Sequence, residues 1–389
     1  MYQIKTFNKI SQLGLDELDP ALFTVGEDIE QPDGILLRSY KLHDYVFPKN
    51  LRAIARAGAG VNNIPVDRCT EAGIVVFNSP GANSNAVKEL GICALLLASR
   101  DIIGGSRWVW DQYAAGEDVA AVVEKGKSAF TGPELTGKSL GVIGLGAVGG
   151  KLASLATKLG MTVYGYDPYL SVEYALDLSR SVHRVFDMET IFKTCDYITL
   201  HLPLMDSTRG TLDEKAFAMM KQGVRVLNLA RGELVDDDAM LAALESGKVA
   251  RYVTDFPNNK IMTGKNVVAI PHLGASTPES EDNCAQMAAE ELRDYLLYGN
   301  IRNSVNMPTV EMTPTTDARV CVFHRNIPNM LASITNLLSA EHINVETMLN
   351  KSRKDIAYTI LDINTPMSEK VYEELKAVDG IIRVRRVQF

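Results

Sequence analysis

A glycine-rich turn in the middle of the chain joins a short β-branched segment to a helix-forming one. The glycines are spaced Gly144-x-Gly146-x-x-Gly149 and directly follow the apolar run Ser139–Ile143. In such a turn the first glycine permits the bend, the second lets the backbone approach a pyrophosphate, and the third lets the helix pack closely on the strand. The helix that follows Val148 offers free N–H groups and a favourable dipole to the phosphates. The spacing therefore predicts a dinucleotide site.

An acidic residue stands at the end of the next predicted strand, Thr162–Tyr166. Asp167 lies 23 residues after Gly144, where a carboxylate hydrogen-bonds the adenosine ribose of a bound dinucleotide. A carboxylate at this point also repels a 2′-phosphate. The sequence therefore predicts NAD, rather than NADP, as the cofactor.

Three polar residues follow three further predicted strands: Arg231, Asp255 and His272. Ligands of open parallel sheets bind beyond the carboxyl ends of the strands, which is where these residues fall. Histidine suits the transfer of a hydroxyl proton because its pKa lies near neutral pH, and the planar guanidinium of arginine binds a carboxylate in two parallel hydrogen bonds. The set is typical of the oxidation of a 2-hydroxy acid. If each residue is considered singly, the alternatives are a solvated loop arginine, a histidine that caps the next helix and an aspartate that orders its own turn.

A second group of anion-binding residues occurs near the N-terminus. Two arginines and a serine follow predicted strands, and the glycines beside them would let backbone amides approach an anion. The predicted substrate-binding residues are Arg38, Ser39, Arg56, Gly58, Ala59 and Gly60. A phosphorylated 2-hydroxy acid is the substrate that these loops favour, and ordinary surface charges beside a shaped turn are the alternative.

The elements that must position these residues alternate between strand and helix, which is typical of parallel βαβ units. The central strands are predicted at Ser139–Ile143, Thr162–Tyr166, Asp196–His201, Val224–Leu229, Ala250–Asp255 and Val267–Ile270. Weaker strands are predicted before them at Gly34–Leu37, Leu51–Ala57 and Gly73–Asn78. Two long helices are predicted, one over Ala86–Ile102 and one that begins at Ser276–Glu279 and ends near Gly299.

The end of the chain shows a different order of elements: strand, helix, strand, strand, helix, strand. The six elements are predicted at Arg319–His324, Asn329–Ala340, Val345–Lys351, Ile356–Ile363, Ser368–Ala377 and Ile381–Gln388. We expect a substrate-binding domain from 1–98 with 280–302, a Rossmann-type domain over 99–279, a linker over 303–317 and a small α+β domain over 318–389.

Composition excludes several other classes of protein. The 389 residues carry a net charge of −8, and no basic face is available for the phosphates of a nucleic acid. No apolar run is long enough to span a membrane, and the charged N-terminal segment lacks the apolar stretch of a signal peptide. The five cysteines are scattered and have no metal-ligand spacing, so we expect buried free thiols, a cytoplasmic location and no bound metal.

Several of these segments resemble motifs of the D-2-hydroxyacid dehydrogenase family. The motifs cover almost the whole chain and are Arg56–Asn63, Phe77–Ser84, His201–Leu204, Asn228–Glu233 and Pro271–Thr277. The resemblance implies a flavodoxin-like substrate lobe beside the Rossmann-type NAD domain. It implies that His272 is the acid/base, that Arg231 anchors the carboxylate, and that Asp255 faces the nicotinamide amide. The cofactor would also contact His201, Ala230 and Gly274.

The two N-terminal motifs resemble the branch of the family that oxidises 3-phospho-D-glycerate at the start of L-serine synthesis. The alternatives are another 2-hydroxy acid, such as glycerate, lactate or 2-hydroxyglutarate, and a binding protein that senses NADH. The chain departs from the family at one place, because no glutamate follows Asp255 where the family pairs one with the histidine. Asn259 and Lys260 stand there instead, and we expect Asp255 or another acidic residue to take that role.

The C-terminal order of elements is similar to the ACT regulatory domain, which binds an amino acid between paired subunits. The resemblance implies an L-serine site in a homo-oligomer. The matching residues are His324, Asn326, Pro328 and Asn344, and Asn329 replaces the glycine of the motif. A domain that serves oligomerisation alone is the alternative.

Overall fold

The structure is a computed structural model that describes residues 1–389. The chain divides into two compact units, one made of 1–83 with 278–389 and the other of 84–277. The predicted boundary at 98/99 falls later than this division, because the whole helix Ser84–Ser99 packs with the second unit. The C-terminal domain, which we expected to stand apart, belongs to the first unit.

The N-terminal part of the first unit is a five-stranded parallel sheet. Its strands are β1 (Tyr2–Phe7), β2 (Phe23–Gly26), β3 (Gly34–Leu37), β4 (Ala53–Arg56) and β5 (Val75–Asn78), in the order β2-β1-β3-β4-β5. Two short helices accompany them, α1 (Gln12–Leu15) and α2 (Val66–Glu71). The predicted strand β3 is confirmed, and β4 and β5 are shorter than predicted. Strand β1 was not predicted, although its alternating polar and apolar residues are typical of a strand that buries one face.

The second unit holds a seven-stranded parallel sheet. Its strands are β6 (Ser139–Ile143), β7 (Thr162–Tyr166), β8 (Val182–Arg184), β9 (Tyr197–Leu200), β10 (Val224–Asn228), β11 (Val249–Thr254) and β12 (Val267–Ala269). The order is β12-β11-β10-β9-β6-β7-β8. All six predicted strands are confirmed, and β8 is an additional edge strand of three residues with little apolar content.

Helices precede and connect these strands. They are α3 (Ser84–Ser99), α4 (Ile102–Ala114), α5 (Val119–Gly126), α6 (Gly149–Lys158), α7 (Val172–Asp177), α8 (Met188–Thr194), α9 (Glu214–Met219) and α10 (Asp237–Glu245). Three single turns of 3₁₀ helix occur at Lys127–Phe130, Gly232–Leu234 and Ile261–Thr263. Helix α3 is half buried, including Ala94, Leu95 and Ala98, and it packs on β10 and β11 as its apolar sequence predicts.

The chain then returns to the first unit through the long helix α11 (Pro278–Tyr298). Its proline lies in the first turn, and Gly299 ends it with φ 75°, the left-handed conformation predicted there. The small residues Ala285, Ala288 and Ala289 and the larger Leu292 are buried, and the helix packs on β3, β4 and β5.

The C-terminal domain is a four-stranded antiparallel sheet with two helices. Its elements are β13 (Ala318–Arg325), α12 (Met330–Ala340), β14 (Val345–Arg353), β15 (Ile356–Ile363), α13 (Glu369–Lys376) and β16 (Ile381–Gln388), with the strand order β14-β15-β13-β16. The helices cover one face of the sheet. The other face buries Phe323 and Tyr358 in the same core as α11 and the N-terminal sheet.

The segment predicted as a linker is packed on the N-terminal sheet. Asn306 accepts a hydrogen bond from the amide of Val76 at 2.9 Å and donates to the carbonyl of Ile74 at 2.9 Å. Met307 and Val310 are buried. The amide side chain of Asn306 thus pairs with the backbone at the edge strand β5, which sequence periodicity does not register.

All five cysteines are free thiols, and only Cys93 is exposed. None of the helices combines the length and apolar character that crossing a membrane requires.

Candidate active site

The glycine turn lies between β6 and α6, as predicted. Gly144 has φ 95°, and a Cβ atom there would lie 2.5 Å from the carbonyl oxygen of His201. At Gly149 a Cβ atom would lie 1.9 Å from the carbonyl oxygen of Gly144, so only glycine allows the helix to start this close to the strand. A Cβ atom at Gly146 would meet nothing within 4 Å. The turn therefore leaves open space at the helix start beside Val148, which fits a bound pyrophosphate.

Asp167 holds the same turn in place. Its Oδ2 accepts the amide of Leu145 at 2.9 Å, and its Oδ1 accepts the amide of Tyr169 at 2.8 Å. The side chain is only partly buried, and each carboxylate oxygen has a further lone pair. Asp167 can therefore accept ribose hydroxyls while it fixes the loop.

The predicted cofactor residues on the neighbouring strands lie at the same sheet edge. His201 follows β9, and its Nε2 lies 3.0 Å from the hydroxyl of Thr199. Burial lowers the pKa of His201 to about 4, so its ring is neutral at pH 7. Ala230 follows β10, where its amide donates to Oδ1 of Asn228 at 3.2 Å.

The three candidate catalytic residues follow the adjacent strands β10, β11 and β12. One aromatic side chain lies between two of them. The ring of Phe256 is 4.5 Å from the ring of His272, centroid to centroid, and the guanidinium of Arg231 lies 5.8 Å from the Phe256 centroid. Arg231 donates from Nη1 to the carbonyl of Ala230 at 2.6 Å, which leaves its other N–H groups for a ligand.

Asp255 is the buried member of this group. It is 1% exposed, and neither carboxylate oxygen has a hydrogen-bond partner of good geometry. Burial raises the pKa of Asp255, while the charge of His272, the amide of Gly274 and the charge of Arg231 oppose the rise. A buried carboxylate without a hydrogen-bond partner raises the free energy of the folded protein. An amide donor from a bound nicotinamide would satisfy it.

At the position where the resemblance implied a glutamate, this chain has a surface ion pair. Nζ of Lys260 lies 2.6 Å from a carboxylate oxygen of Asp238, and both side chains are exposed. Asp255 is an acidic residue that interacts electrostatically with His272.

The predicted substrate loops lie at the carboxyl edge of the N-terminal sheet, in the first unit. Nη2 of Arg38 is 2.6 Å from a carboxylate oxygen of Glu281. Arg56 donates from Nε to the carbonyl of Arg38 at 2.9 Å and from Nη1 to the carbonyl of Gly60. The structure therefore brings the two arginines together.

The backbone around these arginines is held by side chains that the sequence did not single out. Oδ1 of Asn8 accepts the amide of Ser39 at 2.9 Å. The amide of Gly58 lies 3.4 Å from the hydroxyl oxygen of Ser79, and the carbonyl of Ala59 accepts from Asn78 at 2.6 Å. Asn78 and Ser79 fall within the motif Phe77–Ser84, which was the available signal for them.

The predicted regulatory residues do not lie together in one chain. His324 and Asn326 lie near the end of the C-terminal sheet where Arg325 pairs with Ile356, and Asn344 precedes Val345, which pairs with Ile363 at the other end. A single site that used all of them would need two copies of the domain.

The histidine of this set is also inaccessible. His324 is 2% exposed, and its ring nitrogens lie 2.8 Å from the carbonyl of Arg325 and 2.9 Å from the hydroxyl of Thr359. Pro328 is exposed, and Asn329 has φ 67°, so asparagine adopts here the left-handed conformation that the glycine of the motif would favour.

Phe256 is the functional candidate that sequence reasoning missed. The signal available was its position directly after Asp255, but an aromatic residue at a strand end is common in any core. Only the packing places its ring between an arginine and a histidine.

Comparison with known proteins gives a consistent result. The family model for the NAD-binding domain of D-isomer specific 2-hydroxyacid dehydrogenases matches residues 92–274. A D-3-phosphoglycerate dehydrogenase of Methanocaldococcus jannaschii is 37% identical over 73% of this chain and 53% of its own length. The enzyme of that name from Bacillus subtilis is 32% identical over 84% of this chain and 62% of its own length. The one from Haemophilus influenzae is 30% identical over 84% of this chain and 78% of its own length.

Solved structures agree on the fold. An NAD⁺-bound 3-phosphoglycerate dehydrogenase of Entamoeba histolytica aligns with a TM-score of 0.61 and 26% identity, over 78% of this chain and 98% of that one. A glyoxylate reductase of Paecilomyes thermophila aligns with a TM-score of 0.64 and 25% identity over the same shares. The chain spans about half of the Methanocaldococcus relative and about three-fifths of the Bacillus relative. NAD is the cofactor of the matched domain, and the chain belongs to the D-isomer specific 2-hydroxyacid dehydrogenase family.

Proposed function

We propose that the chain oxidises 3-phospho-D-glycerate to 3-phosphohydroxypyruvate with NAD, the first step of L-serine synthesis. The observation that carries this proposal is the grouping of Arg231, Asp255 and His272 beyond β10, β11 and β12, beside the glycine turn. The names of the relatives support the choice of substrate. We place the enzyme in the cytoplasm, because its cysteines are free thiols.

The residues divide the work as follows. Arg231 binds the substrate carboxylate through the N–H groups that Ala230 does not use, which fixes the C2 carbon. His272 is exposed to the site and takes the proton of the C2 hydroxyl. Bound NAD supplies the acceptor for the hydride that leaves C2. Asp255 orients the carboxamide end of the cofactor and stabilises the imidazolium that forms on His272.

The phosphate is assigned to the N-terminal loops. Arg38 and Arg56 are adjacent there, and Arg38 is already paired with Glu281 at 2.6 Å. A substrate phosphate therefore has to compete with a carboxylate or use the remaining N–H groups of Arg38. This neutralised arginine is the observation that favours the second candidate, oxidation of an unphosphorylated D-2-hydroxy acid, and the structural likeness to a glyoxylate reductase supports it too.

A panel of 2-oxo acids tests the proposal. We expect NADH oxidation with 3-phosphohydroxypyruvate to exceed that with hydroxypyruvate, pyruvate, glyoxylate or 2-oxoglutarate by about 100-fold in kcat/KM, because the phosphate adds charge-assisted hydrogen bonds. Arg38→Met should remove this preference and leave hydroxypyruvate reduction unchanged. Equal rates with and without the phosphate would favour the second candidate.

The same assay tests whether the chain catalyses at all. His272→Asn should lower kcat by about 10²- to 10⁴-fold while NADH fluorescence still reports binding. The matched control is His183→Asn, which changes an exposed histidine on the edge strand β8. An NADH-sensing protein would bind NADH but oxidise it with no member of the panel.

We further propose that the chain works as a homo-oligomer that binds L-serine. Helices α4 and α5 contain no buried residue, and Trp110 and Tyr113 on α4 are 68% and 66% exposed, which supports coverage by a second copy. Serine would lie between the C-terminal domains of two copies, near Asn326 of one and Asn344 of the other. Light scattering with and without serine, together with serine inhibition of the steady-state rate, tests both statements.

A further inference from the structure

A pocket lined by positive side chains lies in the first unit, at the junction of the loop before β4 with the last strand, β16. It encloses about 290 Å³, and its basic lining residues are Lys49, Arg52, Arg383, Arg385 and Arg386. No aspartate or glutamate lines it. In a chain with a net charge of −8, this is an unusual local excess of positive charge.

Nearby carboxylates neutralise only part of this charge. Arg52 lies 3.5 Å from Asp33, and Arg386 lies 2.7 Å from Glu369. Arg383 and Arg385 have no carboxylate within ion-pair distance. Nη1 and Nη2 of Arg385 donate to the carbonyls of Tyr295 and Leu296 at the end of α11, at 3.0 and 2.9 Å, and its Nε has no partner.

The unpaired arginines also repel one another. Arg385 is 7% exposed. Burial lowers the pKa of Arg383, and the charges of Arg385 and Arg52 lower it further. Burial also acts to lower the pKa of Arg385, but Tyr295 and Tyr358 beside it raise that pKa. Positive charges held together away from water raise the free energy of the folded protein, and an anion in the pocket lowers it.

Attachment of the C-terminal domain explains part of this cluster. Arg383 donates to the carbonyls of Leu51 and Lys49, and so fastens β16 to the loop before β4. This role does not require Lys49, whose side chain is exposed, nor Arg386, whose ion pair lies within the C-terminal domain. Attachment of the domain therefore does not explain why Lys49 and Arg386 also line this pocket.

We propose that this pocket binds a small phosphate-bearing dianion. Three or more cations around one cavity match a doubly charged tetrahedral group better than a single carboxylate, and arginine forks fit phosphate oxygens. The site differs from the proposed substrate site. Arg52 precedes β4 and Arg56 ends it, so the pocket lies at the opposite edge of the N-terminal sheet from the substrate loops.

Binding there would also join two segments that are far apart in sequence. A dianion that contacts Lys49 and Arg52 on one side and Arg383 and Arg386 on the other cross-links the loop before β4 to β16. Because it binds only the docked arrangement, it stabilises the contact between the C-terminal domain and the N-terminal sheet.

The full-length protein tests the proposal with inorganic phosphate as the probe. We expect saturable binding of one phosphate per chain at this site by calorimetry, and a rise in Tm with phosphate. Binding of glycerol 3-phosphate shows whether the pocket accepts a phosphate ester as well as the free ion. Acetate at equal ionic strength shows whether a monoanion binds as well. The double variant Lys49→Met/Arg386→Met should weaken phosphate binding about tenfold or more, since it removes two charge-assisted contacts from exposed positions.

Two control variants establish whether binding is specific to this pocket. Arg325→Met/Lys354→Met removes two exposed charges of the C-terminal domain that do not line the pocket and should leave binding unchanged. Arg38→Met alters the proposed substrate site and should also leave it unchanged. The proposal is overturned if the pocket variant binds phosphate as the wild type does, if only Arg38→Met loses binding, or if no saturation occurs up to about 10 mM phosphate.

Discussion

The ring of Phe256 packs against the ring of His272 with a centroid separation of 4.5 Å and an angle of 46° between the planes. The same phenyl ring carries the guanidinium of Arg231 at 5.8 Å. One apolar side chain thus lies against both the proposed proton acceptor and the proposed carboxylate anchor.

Replacement of this ring tests its positioning role. Phe256→Leu should lower kcat by about 10- to 100-fold, because a displaced histidine no longer meets the substrate hydroxyl in a reactive geometry. Phe256→Tyr keeps the ring and should retain most of the activity. The measurements are the steady-state rate of each variant and its binding of NADH, followed by fluorescence. The control is Phe186→Leu, which changes an exposed aromatic residue of the same unit. Full activity of Phe256→Leu would contradict the role.

The acidic partner of the histidine can be identified by pH profiles. Asp255→Asn should displace the pH–rate profile and lower kcat, because it removes the buried carboxylate that interacts with His272 and Arg231. Lys260→Glu should leave the profile in place. Lys260 is exposed and paired with Asp238, and a glutamate there would be repelled toward solvent by Asp236, Asp237 and Asp238. A profile that moves with Lys260→Glu instead would place position 260 beside the histidine.

Cofactor choice should depend on Asp167. Asp167→Ser removes a charge that repels a 2′-phosphate, so kcat/KM with NADP should rise and kcat/KM with NAD should fall by about tenfold each. Loss of the bonds to Leu145 and Tyr169 contributes to the decrease with NAD. The ratio of the two kcat/KM values is the measurement, with Glu173→Gln, an exposed acid on α7, as the control. An unchanged ratio would remove Asp167 from the cofactor site.

A buried glutamate on α11 should make stability depend on pH. Burial raises the pKa of Glu291 to about 8, and Asn303 donates to it at 2.7 Å. Since the folded pKa lies above the unfolded value, folding takes up a proton between about pH 4.5 and 8, and stability falls as the pH rises through that window by up to about 1.4 kcal/mol per pH unit.

Glu291→Gln removes this dependence. The variant should match the wild type in Tm near pH 5 and exceed it increasingly toward pH 8. Glu290→Gln, the neighbouring and more exposed acid, should show no such trend. A constant difference in Tm across the range would mean that Glu291 does not titrate in that window.

Much of the fold follows from local sequence. The glycine spacing, the apolar runs of β6 to β12 and the proline and glycine that bound α11 each act within a few residues, and the structure confirms them. The order of these elements along the chain is also enough to predict which residues fall at the carboxyl ends of the strands. Arg231, Asp255 and His272 could therefore be grouped from the sequence alone.

Other features depend on contacts between distant segments. The segment 303–317 contained no sign that Asn306 would pair with the edge of β5. Nothing periodic indicates that Phe256 lies against His272, that Arg383 meets the loop before β4, or that Arg385 meets the end of α11. A side chain's neighbours across the fold depend on how whole elements pack.

The sequence by itself therefore determined the NAD domain, its cofactor turn and the identity of the polar residues at the sheet edge, because backbone propensity and hydrophobic period act locally. Tertiary structure alone decided the buried state of Asp255, the ring that lies against its neighbours, and the docking of the C-terminal sheet on α11. Those outcomes depend on which distant surfaces are brought together and on what each polar group loses when water is excluded.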